Sequence, residues 1–194
     1  MRVIDKRFNQ ETIAVISSLA GNTFNKYKSD PFIFTSSVYG IIGVYIGDEV
    51  YRISNFIEPT DFYGKDEDVA IFKFELAQDE DIHSYMDDGE LIETIVDAQI
   101  RKIIVVNEHQ KLFHNDIQTY DVSLTRGIIF EMEDERQIAF EKDIWFSEEI
   151  NIHKGQDLIS KFAPVETFIE NWEEVDDYRA ECDREEIVIP SGEK

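Results

Sequence analysis

Between residues 127 and 152 the chain alternates. Ile128, Phe130, Met132, Ile138, Phe140, Ile144, Phe146, Ile150 and Ile152 sit at even positions, while most odd positions from 131 to 151 are polar or charged. A period of two over that length is the pattern of an extended chain with one buried face, and no helical stripe reproduces it. It predicts a long antiparallel hairpin whose even residues face a core. Placing Met132 directly opposite Ile138 requires an odd loop, most simply Asp134-Glu135-Arg136 with five residues as the alternative, and no Gly or Asn is present to take a left-handed position.

A second hairpin is expected within residues 32–56. Gly47-Asp48 suits a two-residue loop, because glycine accepts the positive φ of the first position of a type II′ turn. Pairing follows arithmetically: Ile46 faces Glu49, Val44 faces Tyr51 and Ile42 faces Ile53, while Tyr45 faces Val50 and Ile41 faces Ser54. Both faces are apolar, so this pair belongs inside the sheet.

Residues 9–20 read as a helix capped by Asn9, with Ile13, Ile16 and Ala20 on one face and Gly21 beyond its end. The β-branched Thr12, Ile13, Val15 and Ile16 keep a strand as the alternative. Residues 23–28, 69–76 and 91–106 are further strands. Residues 58–68 read as a polar connection holding Pro59 and Gly64, 78–90 as an acidic loop, and Asn107-Glu108-His109-Gln110 as a turn before Lys111-Leu112-Phe113. Residues 156–162 place Leu158, Ile159 and Phe162 at helical spacing. Pro164 then opens a helix with Val165, Phe168, Ile169 and Trp172 on one face. Beyond Trp172 acidic residues dominate, and the last residues are expected to fray. The resulting expectation is a single α+β domain over residues 1–194, a twisted antiparallel sheet or partly closed barrel with an N-terminal helix, C-terminal helices and an acidic segment at about 173–194.

Charge narrows the function. There are 42 acidic and 19 basic residues among 194, a formal net charge of -23. Such a chain repels phosphate backbones and anionic lipid, so neither nucleic acid nor membrane is an expected partner. A single cysteine, Cys182, permits no internal disulfide, and no apolar run suits a signal peptide or a membrane span. The expected location is cytoplasmic.

The common nucleotide, dinucleotide, hydrolase and zinc-protease motifs have no counterpart here. His83, His109, His114 and His153 are the candidate metal or acid–base groups, and a short loop between His109 and His114 would bring that pair together; their expected role is ordinary surface histidine. Asp79, Glu80, Asp81, Asp87, Asp88 and Glu90 do not follow a calcium-loop pattern, and the acidic neighbours of Cys182 disfavour a thiolate. No metal and no cofactor is expected.

Glu141, Asp143, Trp145 and Glu149 are the candidate binding residues, on the face of the 127–152 hairpin opposite the core. A tryptophan among carboxylates anchors a basic protein if that face is open. If the helical segment at 156–172 covers the face, Trp145 is ordinary core. The leading functional expectation is therefore a non-enzymatic module that binds a basic partner, with inhibition of that partner one form of it, as in an immunity protein or antitoxin. The alternative is a small-ligand-binding protein or enzyme with a cavity in the sheet.

Overall fold

The computed structural model describes residues 1–62, 65–86, 89–144, 146–173 and 175–192. The longest strand is β7, Ile92–His114, with 23 residues and no Gly or Pro to interrupt it. Around it lie β1 (Arg2–Lys6), β2 (Thr23–Ser29), β3 (Ser37–Tyr39), β4 (Ile41–Ile46), β5 (Glu49–Phe62), β6 (Lys65–Ala77), β8 (Ile117–Met132), β9 (Gln137–Lys142), β10 (Glu149–Gly155) and β11 (Tyr178–Pro190). The eleven strands form one sheet in the order β3-β10-β9-β8-β7-β2-β4-β5-β6, with β1 on β8 and β11 on β7. Among the described residues all pairings are antiparallel except β1 with β8. Each edge of the central β7–β8 hairpin is shared. β2 and then β11 run along β7, while β9 and then β1 run along β8.

One face of the sheet curls around the main core. Ile128, Phe130, Met132, Ile138, Phe140, Ile150 and Ile152 all join it, as the alternation requires. Tyr27 on β2 meets Phe140 on β9 edge to face, with ring centroids 5.6 Å apart, although two strands separate them in the sheet. Helix α1, Gln10–Leu19, fills the remaining space with Ile16 and Leu19. Asn9 caps it by accepting from the Thr12 N–H at 2.8 Å, and Gly21 takes φ +89 past its end. Among the described residues the terminal strands β3 and β6 do not pair, so the sheet is strongly curved but open, not a closed barrel.

The Gly47-Asp48 hairpin has the expected register throughout, and Gly47 carries φ +59. Elsewhere the structure departs from the sequence reading. In the β8–β9 hairpin Phe130, not Met132, faces Ile138, and Glu135 takes the left-handed position at φ +66 without being Gly or Asn. The alternation from 138 to 152 is not one strand: the ladder breaks after Lys142 and resumes at Glu149, leaving Ile144 and Phe146 half exposed. Asn107–Gln110 is no turn, because these residues lie inside β7. The turn is Asn115-Asp116, both at positive φ, a two-residue loop of the mirror-image kind that Asn and Asp tolerate.

Residues 58–68 are also largely strand rather than connection; Gly64 lies outside the described residues, and beyond Ser54 β5 pairs with β6 alone, so Pro59 interrupts only one ladder. Residues 156–162 form a single 3-10 turn, Leu158–Lys161, and the helix after Pro164 is α2, Glu166–Glu173. The acidic segment after Trp172 is largely ordered strand, and of the last residues, expected to fray, 193–194 lie outside the described residues. Most of the segment is β11, paired to β7 from Tyr178 to Pro190 with its acids facing outward and Ala180 and Cys182 inward.

Candidate functional site

The second face of the β7–β8–β11 layer is covered by residues 158–173. Along β7 the residues on this face are Ile104, Val106, Glu108, Gln110 and Leu112, so the apolar row is interrupted by two polar side chains, each at most 5% exposed. A bulge in β8 puts a third beside them. Val106 pairs with Gly127 and Asn107 with Thr125, so Arg126 is the extra residue. Gly127 is required where it is: a Cβ there would collide with the Phe140 carbonyl and lie 2.9 Å from the Phe162 ring. Its missing side chain lets Phe162 seal one end of this face.

Arg126 is the hub. Its Nε and Nη2 donate to Glu141 Oε1 at 3.2 and 3.1 Å, and its Nη1 donates to the Asp143 carbonyl at 3.3 Å. Glu141 also accepts from the Ala163 N–H at 2.8 Å, and His153 Nε2 lies 2.8 Å from its other oxygen. Burial works to raise the Glu141 pKa. The His153 hydrogen bond, the Arg126 charge and the Ala163 N–H outweigh it and hold the carboxyl below its ordinary range. Glu108 accepts from Arg184 Nη2 at 2.6 Å and from Gln110 Nε2 at 3.1 Å. Arg184 also donates to the Ala163 carbonyl at 2.6 Å. The ionic network thus fastens the chain at Ala163, where it leaves the 3-10 turn for α2.

Above this network lies a cavity of about 350 Å³. Glu108, Gln110 and Arg126 form its floor. Pro164, Val165, Phe168 and Trp172 form one wall, and Ile144 and Phe146, from the loop that breaks the 138–152 alternation, form the opposite lip. Phe168 and Trp172 also pack against the cluster of Leu112, Tyr120 and Val122, so the helix is anchored on the sheet beside the opening.

Of the four residues expected to share an open face, three are among the described residues, and they do not present one open carboxylate face. Glu141 is 2% exposed and committed to Arg126, His153 and Ala163. It is not a surface carboxylate: the 158–163 segment covers it, and its charge is balanced within the fold. Asp143 contributes its carbonyl to Arg126 and Lys142. Glu149 opens β10 opposite Tyr39, and its carbonyl accepts from the Asn55 side chain at 3.0 Å. Trp145 lies outside the described residues. Glu108, Gln110 and Arg126 escaped the sequence reading. The signal for Glu108 and Gln110 was a polar run in the middle of β-branched chain, which resembles a turn; Arg126, on β8, had none.

The histidines are dispersed. His109 Nε2 is 2.5 Å from Asp121 Oδ1, His114 stacks on Tyr178 with ring centroids 4.7 Å apart, and β7 runs extended between them. That strand, not a short loop, separates the pair and puts them on opposite faces. Among the described residues no three His, Cys, Asp or Glu side chains are grouped to hold a metal ion. Asp79, from the acidic stretch, takes a hydrogen bond from Tyr45 and an ion pair from Lys28 at 2.9 Å; Asp87 and Asp88 lie outside the described residues. Burial, with the Glu108 charge adding to it, pushes the Cys182 thiol up to about 12, which leaves it protonated and unreactive at neutral pH. No helix among the described residues is long and apolar enough to cross a membrane. Comparison with family models, with curated proteins and with solved structures finds no match for this chain.

Proposed function

We propose that this is a small-molecule-binding protein whose ligand occupies the cavity between α2 and the sheet. The observation that carries the reading is the cavity itself: about 350 Å³, with walls mostly apolar and aromatic apart from Thr167 and Asn171, and with the buried polar groups Glu108, Gln110 and Arg126 among its lining. Ligand sites have this combination, because burial of an apolar body supplies affinity and a few fixed polar groups supply orientation. Binding is favoured over catalysis by the state of the carboxylates. Glu108 and Glu141 are each held by an arginine, which leaves neither as a free base. The test is a fluorescence titration with N-phenyl-1-naphthylamine, a neutral fluorophore that brightens in apolar surroundings. Saturable one-to-one binding, lost in Val165→Trp, which fills the cavity from the helix side, is the expected result. Absence of binding, or binding indifferent to that substitution, would overturn the proposal.

Charge supports a second reading, a basic protein partner. Glu181, Asp183 and Glu185 stand exposed at alternate positions on the outer face of β11, and the formal net charge of -23 favours encounter with a cation. Glu141, being buried and paired, plays no part in it. The expected result is a partner retained from native lysate at low ionic strength, released by salt, and not retained by the variant with Lys at 181, 183 and 185. Retention unchanged in that variant would remove the reading.

A further inference from the structure

Gln110 is 4% exposed and lines the cavity floor. Its Nε2 donates to Glu108 Oε2 at 3.1 Å, while its Oε1 is buried with no hydrogen-bond partner. The orientation of this amide is fixed chemically. Turning it over would set the oxygen against the Glu108 carboxylate, so the group left without a partner is the acceptor. A buried acceptor in this state is destabilised until a donor reaches it, and no described side chain supplies one.

The ionic groups of the floor define what kind of donor fits. At and beneath the floor Arg126 is paired with Glu141 and Glu108 with Arg184, at the distances given above. An anionic head would find Arg126 already engaged by Glu141 and the Asp143 carbonyl, beside the Glu108 carboxylate. An ammonium head would find both Glu108 oxygens taken, by Arg184 and by Gln110. Either would bring an unbalanced charge into a desolvated place. A neutral N–H or O–H adds none and meets the waiting acceptor. The aromatic side chains Phe146, Phe168 and Trp172 around it suit a ring-bearing body.

We infer that the ligand of this cavity is an uncharged, ring-bearing molecule that seats an N–H or O–H donor on Gln110 Oε1. The inference rests on the reading of the cavity as a ligand site and adds the chemistry of the ligand. Three probes on one skeleton test it at pH 8: N-phenyl-1-naphthylamine, its N-methyl derivative, which lacks the donor, and 8-anilinonaphthalene-1-sulfonate, which adds a negative charge.

On the native protein the N–H amine binds at least about tenfold more tightly than the N-methyl derivative and than the sulfonate, the size expected for satisfying one buried acceptor. In Gln110→Met, which keeps the length of the side chain and removes the acceptor, the ratio of amine to N-methyl derivative falls to within about threefold. Equal binding of the two neutral probes to the native protein, or tightest binding by the sulfonate, overturns the inference and leaves the cavity standing as a ligand site. Failure of all three probes to bind overturns both. The comparison on the native protein decides the matter even where the variant does not fold.

Discussion

Lys142 ends β9 with 3% of its surface exposed and no carboxylate paired to it among the described residues. Its Nζ donates only to the carbonyls of Asp143 and Ile144, at 3.2 and 3.4 Å. Burial first, and the Arg126 charge second, push its pKa down to about 7 from 10.5. A lysine titrating lower in the fold than in the unfolded chain binds fewer protons when folded, so stability rises with pH between the two values. The gain starts near pH 7, ends near the ordinary lysine value of 10.5, and is on the order of 5 kcal/mol when complete. Denaturant titrations at pH 6, 7.5 and 9 are expected to show the native protein gaining on Lys142→Met at each step, with the variant more stable at pH 6. A difference that does not change with pH would contradict the assignment. Glu141, by contrast, is held down by its partners, so its contribution is present at neutral pH and is lost as the solution is acidified through its depressed pKa.

Among elements, what the sequence revealed depended on whether a segment's partners were near in the chain. The Gly47-Asp48 hairpin was legible to the last pair because both strands and the turn are local. The apolar spacing of Val165, Phe168 and Trp172 disclosed α2 for the same reason. β11 was illegible: its outward positions up to residue 185 are Arg179 and three acids and its inward ones include the small Ala180 and Cys182, so no apolar alternation marks it before Ile187. Its strand character comes from β7, which it meets in the fold and not in the sequence. The candidate site was hidden likewise. Its floor needs Glu108 and Gln110 from β7 and the bulged Arg126 from β8, and only pairing shows that polar residues in a β run are enclosed and not a turn. The overlooked turn itself gives a test. Asp116 sits at φ +62, where glycine is unstrained, so Asp116→Gly is expected to raise stability by roughly 0.5 to 1 kcal/mol in denaturant titration. A loss of that size would show that the aspartate side chain, not the backbone, holds the loop.

For the whole molecule, two kinds of electrostatics coexist. The surface carries most of the formal net charge of -23 and opposes compaction through self-repulsion. At the floor of the cavity charge is paired instead, Arg126 with Glu141 and Glu108 with Arg184, within a few ångströms. Surface charge is screened by salt and the enclosed set much less so, which separates any encounter with a basic partner from what the cavity selects.

The placement of β1 and β11 on opposite edges of the β7–β8 hairpin has a further consequence, for the order in which the molecule is assembled during synthesis. Residues 2–6 pair with 120–124, so β1 waits until residue 124 has emerged, and the hairpin it joins then waits for residues 178–190. Contacts so distant in sequence form slowly. Until the last of them closes, β7 exposes a bare edge from Lys102 to His114, and α2 has no β11 to rest on. A chain stalled before residues 178–190 emerge would therefore present an adhesive strand beside an α2 without its support, a state open to aggregation.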